Sequence, residues 1–502
     1  MDELLSGLID MDLQPNGSET LTRQLYTQLR SAILGGSLPP GCKLPSSRDL
    51  ARHLGVSRNT VSFVVDQLVM EGYLDVAQGR RPTVAANSHA SPASGAAVRR
   101  RSARLRVSRW AGRLSQADWP FVNEGKPRPF QTGLADARPF PHDIWARCLR
   151  RAARRAQAPH TPAVNRPALQ AALLAHLSEY RGVKADARQI IVLPSAQAAI
   201  ELIARVLLDA GDIAWIENPG YGGGLAALES AGALVRGVRL DESGLSFKGR
   251  RDRPRLIFVT PSHQYPTGRL MPIGRRQELL AFAERAGAAI IEDDYDSEFH
   301  YDGRPVAALQ GLSATANVFY VGTFSKSMFA DVRVGYAIVP ADLVNVFEKA
   351  QRHSGQIVAP PLQEALADFI DDGHLVAHIR KMTRIYHGRR DRIVQAFTAY
   401  PGLAAAISPP AGGMQLLIDL DPSHDDVAIA ERLTEAGVTT RALSRHFVGE
   451  MQGRGLFLGF AAWNDREIDA GVKIIGKVLQ DMNSQDLRAS DGHVRRSTRR
   501  RG

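Results

Sequence analysis

Cysteine is nearly absent from this 502-residue chain, with Cys42 and Cys148 the two it has. That excludes a disulfide framework and any cysteine-based metal site. No apolar run reaches the roughly 20 residues of a membrane span, and the opening Met1-Asp2-Glu3 lacks the basic flank of a secretory signal. The expectation is therefore a cytoplasmic protein with no membrane partner. An acidic excess is lacking too: the formal net charge is +11. The length exceeds one domain and suits a small domain joined to a large two-lobed one.

Position makes the charge informative. Residues 99 to 113 hold seven arginines and no acid, and residues 484 to 502 hold six arginines against two aspartates, so these two runs account for the whole excess. Each reads either as a solvated segment or as a general attractor of phosphate. Residues 87 to 128, rich in Ala, Ser, Pro and Arg, read as an interdomain linker, with Trp110 and Trp119 suggesting local docking. The predicted organisation is 18–86, a small DNA-reading domain; 87–128, the linker; 129–483, a large domain; and 484–502, a disordered basic tail.

From Thr20 the pattern is helical, with Leu21, Leu25, Leu29 and Ile33 on one stripe and Gly35-Gly36 ending it. Ser46 can cap a short helix through Leu54, Gly55 breaks it, and Ser57 caps another whose Val61, Val64, Val65 and Leu68 face inward. Short extended stretches at Tyr73–Ala77 and Thr83–Ala86, joined through Gly79 to Pro82, complete a hairpin. This is the pattern of a helix-turn-helix with a wing. Ser57 leaves amides at the helix start for a phosphate, while Arg58, Asn59 and Ser62 project where a major-groove reader needs donors. Arg48 and Thr60 fix the register on the backbone, and Arg80 and Arg81 bring the wing to a phosphate or the minor groove. The implied partner is a double-stranded DNA operator.

Beyond Phe130, helical and strand-like segments alternate to about Met482, which points to an α/β architecture. Strands are expected at Ile190–Leu193, Ile213–Ile216, Leu256–Thr260, Ala289–Asp293 and Val318–Val321. The last of these runs into Gly322-Thr323-Phe324-Ser325-Lys326, and Arg333-Val334-Gly335-Tyr336 follows. A small-residue turn there would lift the Lys326 ammonium to the end of a sheet, with Thr323, Ser325 and Arg333 offered to one phosphate. Lys326 reads as a Schiff-base lysine for pyridoxal phosphate. The other groups a fold type I site needs occur in order. Ser195, Ala196 and Gln197 open a helix after a strand and present amides to the phosphate. Tyr221 is placed to stack on the pyridine ring, and the loop His263 to Gly268 to lie beside its far edge. Asp293 would hold the ring nitrogen protonated and Tyr295, two residues on and so on the same strand face, would donate to the phenolate oxygen. Asp294 is the neighbouring carboxylate most easily exchanged with Asp293 in such a reading.

Two resemblances follow. Pro39 to Arg48, Leu50-Ala51, Leu54 to Val61 and Leu68 to Leu74 resemble the GntR-like winged helix-turn-helix regulators, although Gly79-Arg80-Arg81-Pro82-Thr83-Val84 makes a more basic and stiffer wing than the family's. Phe130 to Leu134, Pro139 to Pro141, His263 to Gly268, Glu292 to Phe299 and Tyr320 to Tyr336 extend the resemblance to MocR-type regulators, a GntR-like head fused to a class I/II aminotransferase-like domain of fold type I. The resemblance implies a large mixed-sheet lobe, a smaller α/β lobe, a homodimer, and regulation by an amine, an amino acid or vitamin B6. A working aminotransferase with a DNA-targeting head is the other reading.

The chain departs from the family at two places. Near residues 160 to 170 a tyrosine, a glycine and a Leu-Arg pair are usual, whereas this chain has His160, Asn165 and Leu169-Gln170, which puts a contact to the partner subunit's cofactor in doubt. Phe457 stands where aminotransferases place an arginine for the substrate carboxylate, and Gln415 where many relatives have histidine. An aromatic ring at 457 favours an apolar amine, no external substrate, or the cofactor itself as the sensed molecule, unless a displaced arginine such as Arg441 or Arg445 compensates.

Overall fold

The computed structural model describes residues 13–15, 19–77, 80–86, 106–114, 125–155, 164–303, 306–313 and 317–498, with the backbone alone at 404–405 and 482–498. His160, Trp119, Gly79 and most of the expected linker lie outside the described residues. The chain forms two compact units that divide between Arg106 and Val107.

In the first unit each helix begins where its cap predicts. Thr20 accepts the amide of Arg23 to open α1 (Leu21–Leu34), Ser46 that of Asp49 to open α2 (Ser47–Leu54), and Ser57 that of Thr60 to open α3 (Arg58–Met70). Gly55, at φ 65°, takes the left-handed conformation that ends α2 and turns the chain toward α3. The inward stripes of the three helices (Leu25, Leu29, Ile33; Leu50; Val61, Val64, Leu68) close one core with Leu74 and Val84. Those last two residues pair across β1 (Leu74–Asp75) and β2 (Thr83–Val84), the antiparallel wing.

The second unit is built on a mixed sheet. Its strands are β3 (Ile190–Leu193), β4 (Ile213–Asn218), β5 (Leu234–Asp241), β6 (Gly244–Leu245), β7 (Leu256–Val259), β8 (Ala289–Asp293), β9 (Val318–Thr323) and β10 (Gly335–Ile338). They lie in the order β3-β10-β9-β8-β7-β4-β5-β6. Strands β3, β7, β8 and β9 are buried along their whole length, as continuous Val/Ile/Leu runs between helix layers are. β5, β4, β7, β8 and β9 are mutually parallel, and β10 is antiparallel to both β9 and β3. It follows that β3 runs with β9, so the carboxyl ends of β3, β4, β7, β8 and β9 and the amino end of β10 share one edge. Ligands of open α/β sheets sit at such an edge.

A smaller three-stranded antiparallel sheet, β11 (Gln415–Leu420), β13 (Arg454–Gly459) and β12 (Arg441–Ala442) in that order, carries its own core with Phe130, Phe397 and Ile468. The large mixed-sheet lobe and smaller lobe are the architecture expected. In two places the chain differs from expectation. Trp110 lies in a helix, Arg109–Leu114, and donates to Ser230 Oγ at 2.9 Å, so this part of the expected linker is docked on the large unit. The final helix runs from Asp465 to Thr498, through most of the tail expected to be irregular. Once nucleated by a packed first half, a helix extends at little cost through Gln485, Leu487, Arg488 and Ala489, none of which breaks it.

Candidate cofactor site and DNA-reading surface

The sheet edge forms the floor of a cavity of about 710 Å³. Ser195, Ala196, Gln197, Tyr221, Asp293, Tyr295, Thr323, Ser325, Lys326 and Arg333 all line it. Residues scattered over 138 positions meet there because each follows or precedes a strand ending at that edge.

The phosphate end is built from backbone. Ser195 caps α4 (Ala196–Leu207), its hydroxyl accepting the Ala198 amide at 3.1 Å, which leaves the first amides of the helix facing the cavity. Gly335 makes the close approach possible, since a Cβ there would lie 2.5 Å from the Ala196 nitrogen. Arg333, at φ 49° and ψ 47°, is a non-glycine residue in the left-handed region. That strain sits at the one point where the chain must turn from β9 into β10 and still aim the side chain into the cavity. Lys326 stands not on an open turn, as expected, but on a single helical turn, α5 (Phe324–Ser327), whose cap Thr323 accepts the Ser325 amide at 3.2 Å. Its ammonium donates to the Gly133 carbonyl. Burial holds that ammonium below the usual lysine range against the opposing pull of Asp296 and Asp293, which raises the fraction of neutral, nucleophilic amine.

Adjacent aspartates divide the work. Asp294 accepts Arg181 Nε at 2.8 Å and the Tyr320 hydroxyl at 2.5 Å. Burial alone would raise its pKa, but Arg181 and the hydroxyl donors keep it low, and it is a structural anion. Asp293 points the other way, into the cavity. Burial, then Asp294 and Asp296, push its pKa up to about 8, and its Oδ1 has no hydrogen-bond partner among the described residues. A buried carboxylate oxygen without a donor is the partner that a protonated ring nitrogen requires, so the residues present fit pyridoxal phosphate. Asp293 and Tyr295 do not share a strand face, because β8 ends at Asp293; both turn into the cavity from the strand end. Burial raises the Tyr221 phenol well above its usual range, and its ring packs edge-on to Tyr265 at 5.2 Å.

Three sequence readings are corrected. Of the loop His263 to Gly268 only Tyr265 lines the cavity; His263 is buried against Asp296 at 2.7 Å, and Gln264 ties the loop to Pro219 and Thr267. Asn165 and Gln170 are core residues: Asn165 accepts the Val192 amide at 2.8 Å, and Gln170 donates to the Ile190 carbonyl at 2.8 Å. Phe457 is buried in β13, its ring edge-on to Tyr265 at 5.1 Å, and does not line the cavity, whereas Arg441 does. Arg445 borders a neighbouring cleft, 3.9 Å from Glu431. Sequence reasoning missed Thr132, Gly133 and Tyr265, which stand on loops with no periodic signal.

In the first unit Ser57, Arg58, Asn59, Arg48, Arg80 and Arg81 are exposed and Ser62 is partly so. Thr60 differs from its expected role as a free backbone contact, because its hydroxyl lies 2.8 Å from Ser57 Oγ and completes the cap. No helix among the described residues is long and apolar enough to cross a membrane.

Comparisons with known proteins divide along the same line. The family described as bacterial regulatory proteins, gntR family, matches residues 21–84, and aminotransferase class I and II matches residues 140–475. The chain is 37% identical to the probable rhizopine catabolism regulatory protein MocR of Rhizobium meliloti, over 92% of this chain and 94% of that protein. It is 30% identical to the pyridoxine biosynthesis transcriptional regulator PdxR of Corynebacterium glutamicum, over 90% and 94%. Among solved structures, the α-aminoadipate aminotransferase LysN of Thermus thermophilus, complexed with N-(5'-phosphopyridoxyl)-L-leucine, superposes with a TM-score of 0.68 at 23% identity, covering 76% of this chain and 98% of that one.

Proposed function

Because the chain belongs to the MocR-type transcriptional regulators, a GntR DNA-binding domain with an aminotransferase class I and II domain, we propose that it binds pyridoxal phosphate covalently at Lys326 and regulates transcription according to the state of that site. The observation that carries this reading is the convergence of Lys326, the orphaned Asp293 Oδ1 and the open amides of α4 on one cavity. Bound there, pyridoxal phosphate supplies an aldehyde that condenses with amines and a ring that draws electrons from what it holds. The α4 amides, Thr323, Ser325 and Arg333 hold the phosphate. Asp293 keeps the ring nitrogen protonated, Tyr221 stacks on the ring and Tyr295 donates to its phenolate oxygen.

In the DNA-binding unit, Arg58, Asn59 and Ser62 contact base edges in an operator, and Arg48, Ser57, Thr60, Arg80 and Arg81 serve the backbone. The protein acts as a homodimer, which pairs two reading heads on a repeated operator. The names of two relatives, a rhizopine catabolism regulator and a pyridoxine biosynthesis regulator, support an amine, an amino acid or a B6 vitamer as effector. The ligand then changes the relative population of two arrangements of the heads.

The test is the visible absorption spectrum of the purified protein before and after borohydride, with mass spectrometry of the intact chain. A cofactor band that bleaches to a reduced pyridoxyl adduct in wild type, and no adduct in Lys326→Ala, is the expected result. A wild-type level of adduct at the same peptide in the variant refutes the assignment. Rapid multiple-turnover release of keto acids from ordinary α-amino acids would instead make the protein an aminotransferase with a DNA-targeting head.

A further inference from the structure

Once the groups assigned above to the cofactor are set aside, Thr132, Gly133, Tyr265, Gln415 and Arg441 form the cavity wall beyond the ring, with Glu201 at the other side, 3.8 Å from Arg205. Two of these give the region a chemical character. Arg441 is directly opposite Phe457 in the β12–β13 pairing. Side chains opposed in an antiparallel pair leave the same face of the sheet. The Phe457 ring meets Tyr265, itself a cavity residue, so that face is the cavity side, and the Arg441 guanidinium enters from one strand over. The charges it feels are Tyr265 and Arg445, and burial draws its pKa down, as for a cation held partly out of water. Gln415 is 7% exposed; its Nε2 lies 3.5 Å from the Tyr295 hydroxyl, and its buried Oε1 has no partner among the described residues. An apolar amine would leave a half-buried guanidinium facing carbon and the amide oxygen without a donor, both of which cost free energy.

Resting on the cofactor reading, we propose that Arg441 selects an anionic amine: the effector carries a carboxylate or sulfonate that pairs with the guanidinium while its amino group reaches Lys326 and the cofactor, and Gln415 accepts from an N–H or O–H of the same molecule. Phe457 does not contact the ligand; it backs Tyr265 and so fixes the wall from which Arg441 extends.

The test uses the full-length protein loaded with pyridoxal phosphate and matched pairs of ligands: β-alanine against n-propylamine, γ-aminobutyrate against n-butylamine, L-alanine against isopropylamine, with taurine as the sulfonate arm. Binding is read by calorimetric titration and by the change in the cofactor absorption band. At least one acid-bearing amine is expected to bind about tenfold or more tighter than its neutral counterpart, the worth of a charge-assisted hydrogen bond. That ratio is expected to fall to near one in Arg441→Gln and to survive in part in Arg441→Lys, with the cofactor band of both variants intact. A wild-type protein without the preference, a preference that persists in Arg441→Gln, or binding by none of the amines to protein that shows the cofactor band overturns the proposal and leaves the cofactor reading standing. Absence of the cofactor band in wild type is a different failure and removes both.

Discussion

Replacing Asp293 with asparagine removes a carboxyl whose ionised form the empty cavity disfavours. Its pKa, pushed up to about 8 from an ordinary 3.8 by burial and by Asp294 and Asp296, corresponds to a ceiling of roughly 6 kcal/mol against the charged form. In the folded protein the group keeps its proton across pH 4 to 8, where the unfolded chain has lost it. Stability contributed by protonated Asp293 is therefore present at low pH and is lost as pH rises through 8. An asparagine there has no such dependence. The assay is the thermal midpoint of the large domain, stripped of cofactor, at intervals from pH 5 to 9. Asp293→Asn should gain on wild type by up to about 4 kcal/mol between pH 5 and 8, then run parallel to it. Glu217, Glu292 and Glu298 also have raised pKa values, but they are common to both proteins and cancel in the difference. Added pyridoxal phosphate should reverse the ranking, since the ring nitrogen gives wild-type Asp293 a partner and ligand binding stabilises in proportion to affinity. Midpoints of the two proteins that stay a constant distance apart over the whole pH range would refute the reasoning.

Arg58→Ala should relax operator preference at one base pair by about 1 to 3 kcal/mol, whereas Arg80→Ala or Arg81→Ala should weaken all sequences alike and reduce the salt slope by about one. Titrations of operator variants at several salt concentrations separate the two, and an Arg58→Ala protein with unaltered affinity and preference rules out this docking. Arg181→Ala leaves Asp294 charged and fully buried; a loss of about 3 to 5 kcal/mol is expected in denaturant unfolding, and a loss under about 1 kcal/mol would contradict the pairing. Gly335→Ala places a Cβ 2.5 Å from the backbone of Ser195 and Ala196 and should weaken cofactor binding by tenfold or more in fluorescence titration. Gly388→Ala, in the open middle of the helix His374–Phe397, should instead stabilise by about 0.5 to 1 kcal/mol, and equal effects of the two substitutions would show that the phosphate end tolerates displacement.

Much of this protein is determined by local sequence. Thr20, Ser46 and Ser57 set three helix starts because a cap is a contact between residues three apart. Runs such as Ile190–Leu193 and Ala289–Asp293 announce buried strands to the residue because β-branched and aliphatic side chains tolerate burial on both faces. The residues around Lys326 carry their chemistry in their types and order. Tertiary structure decided what depends on partners far along the chain. Asp293 and Asp294 are indistinguishable as neighbours in sequence, and only the arrival of Arg181, 113 residues earlier, commits one to the core and leaves the other to the cavity. Asn165 and Gln170 read as missing site residues until strand β3 supplies the backbone groups they bind. Arg441 and Arg445 carry equal charge four residues apart, and the pairing of β12 with β13 alone selects Arg441 for the cavity. The direction of a side chain follows from which strand lies beside its own, and that is set by the packing of the whole sheet.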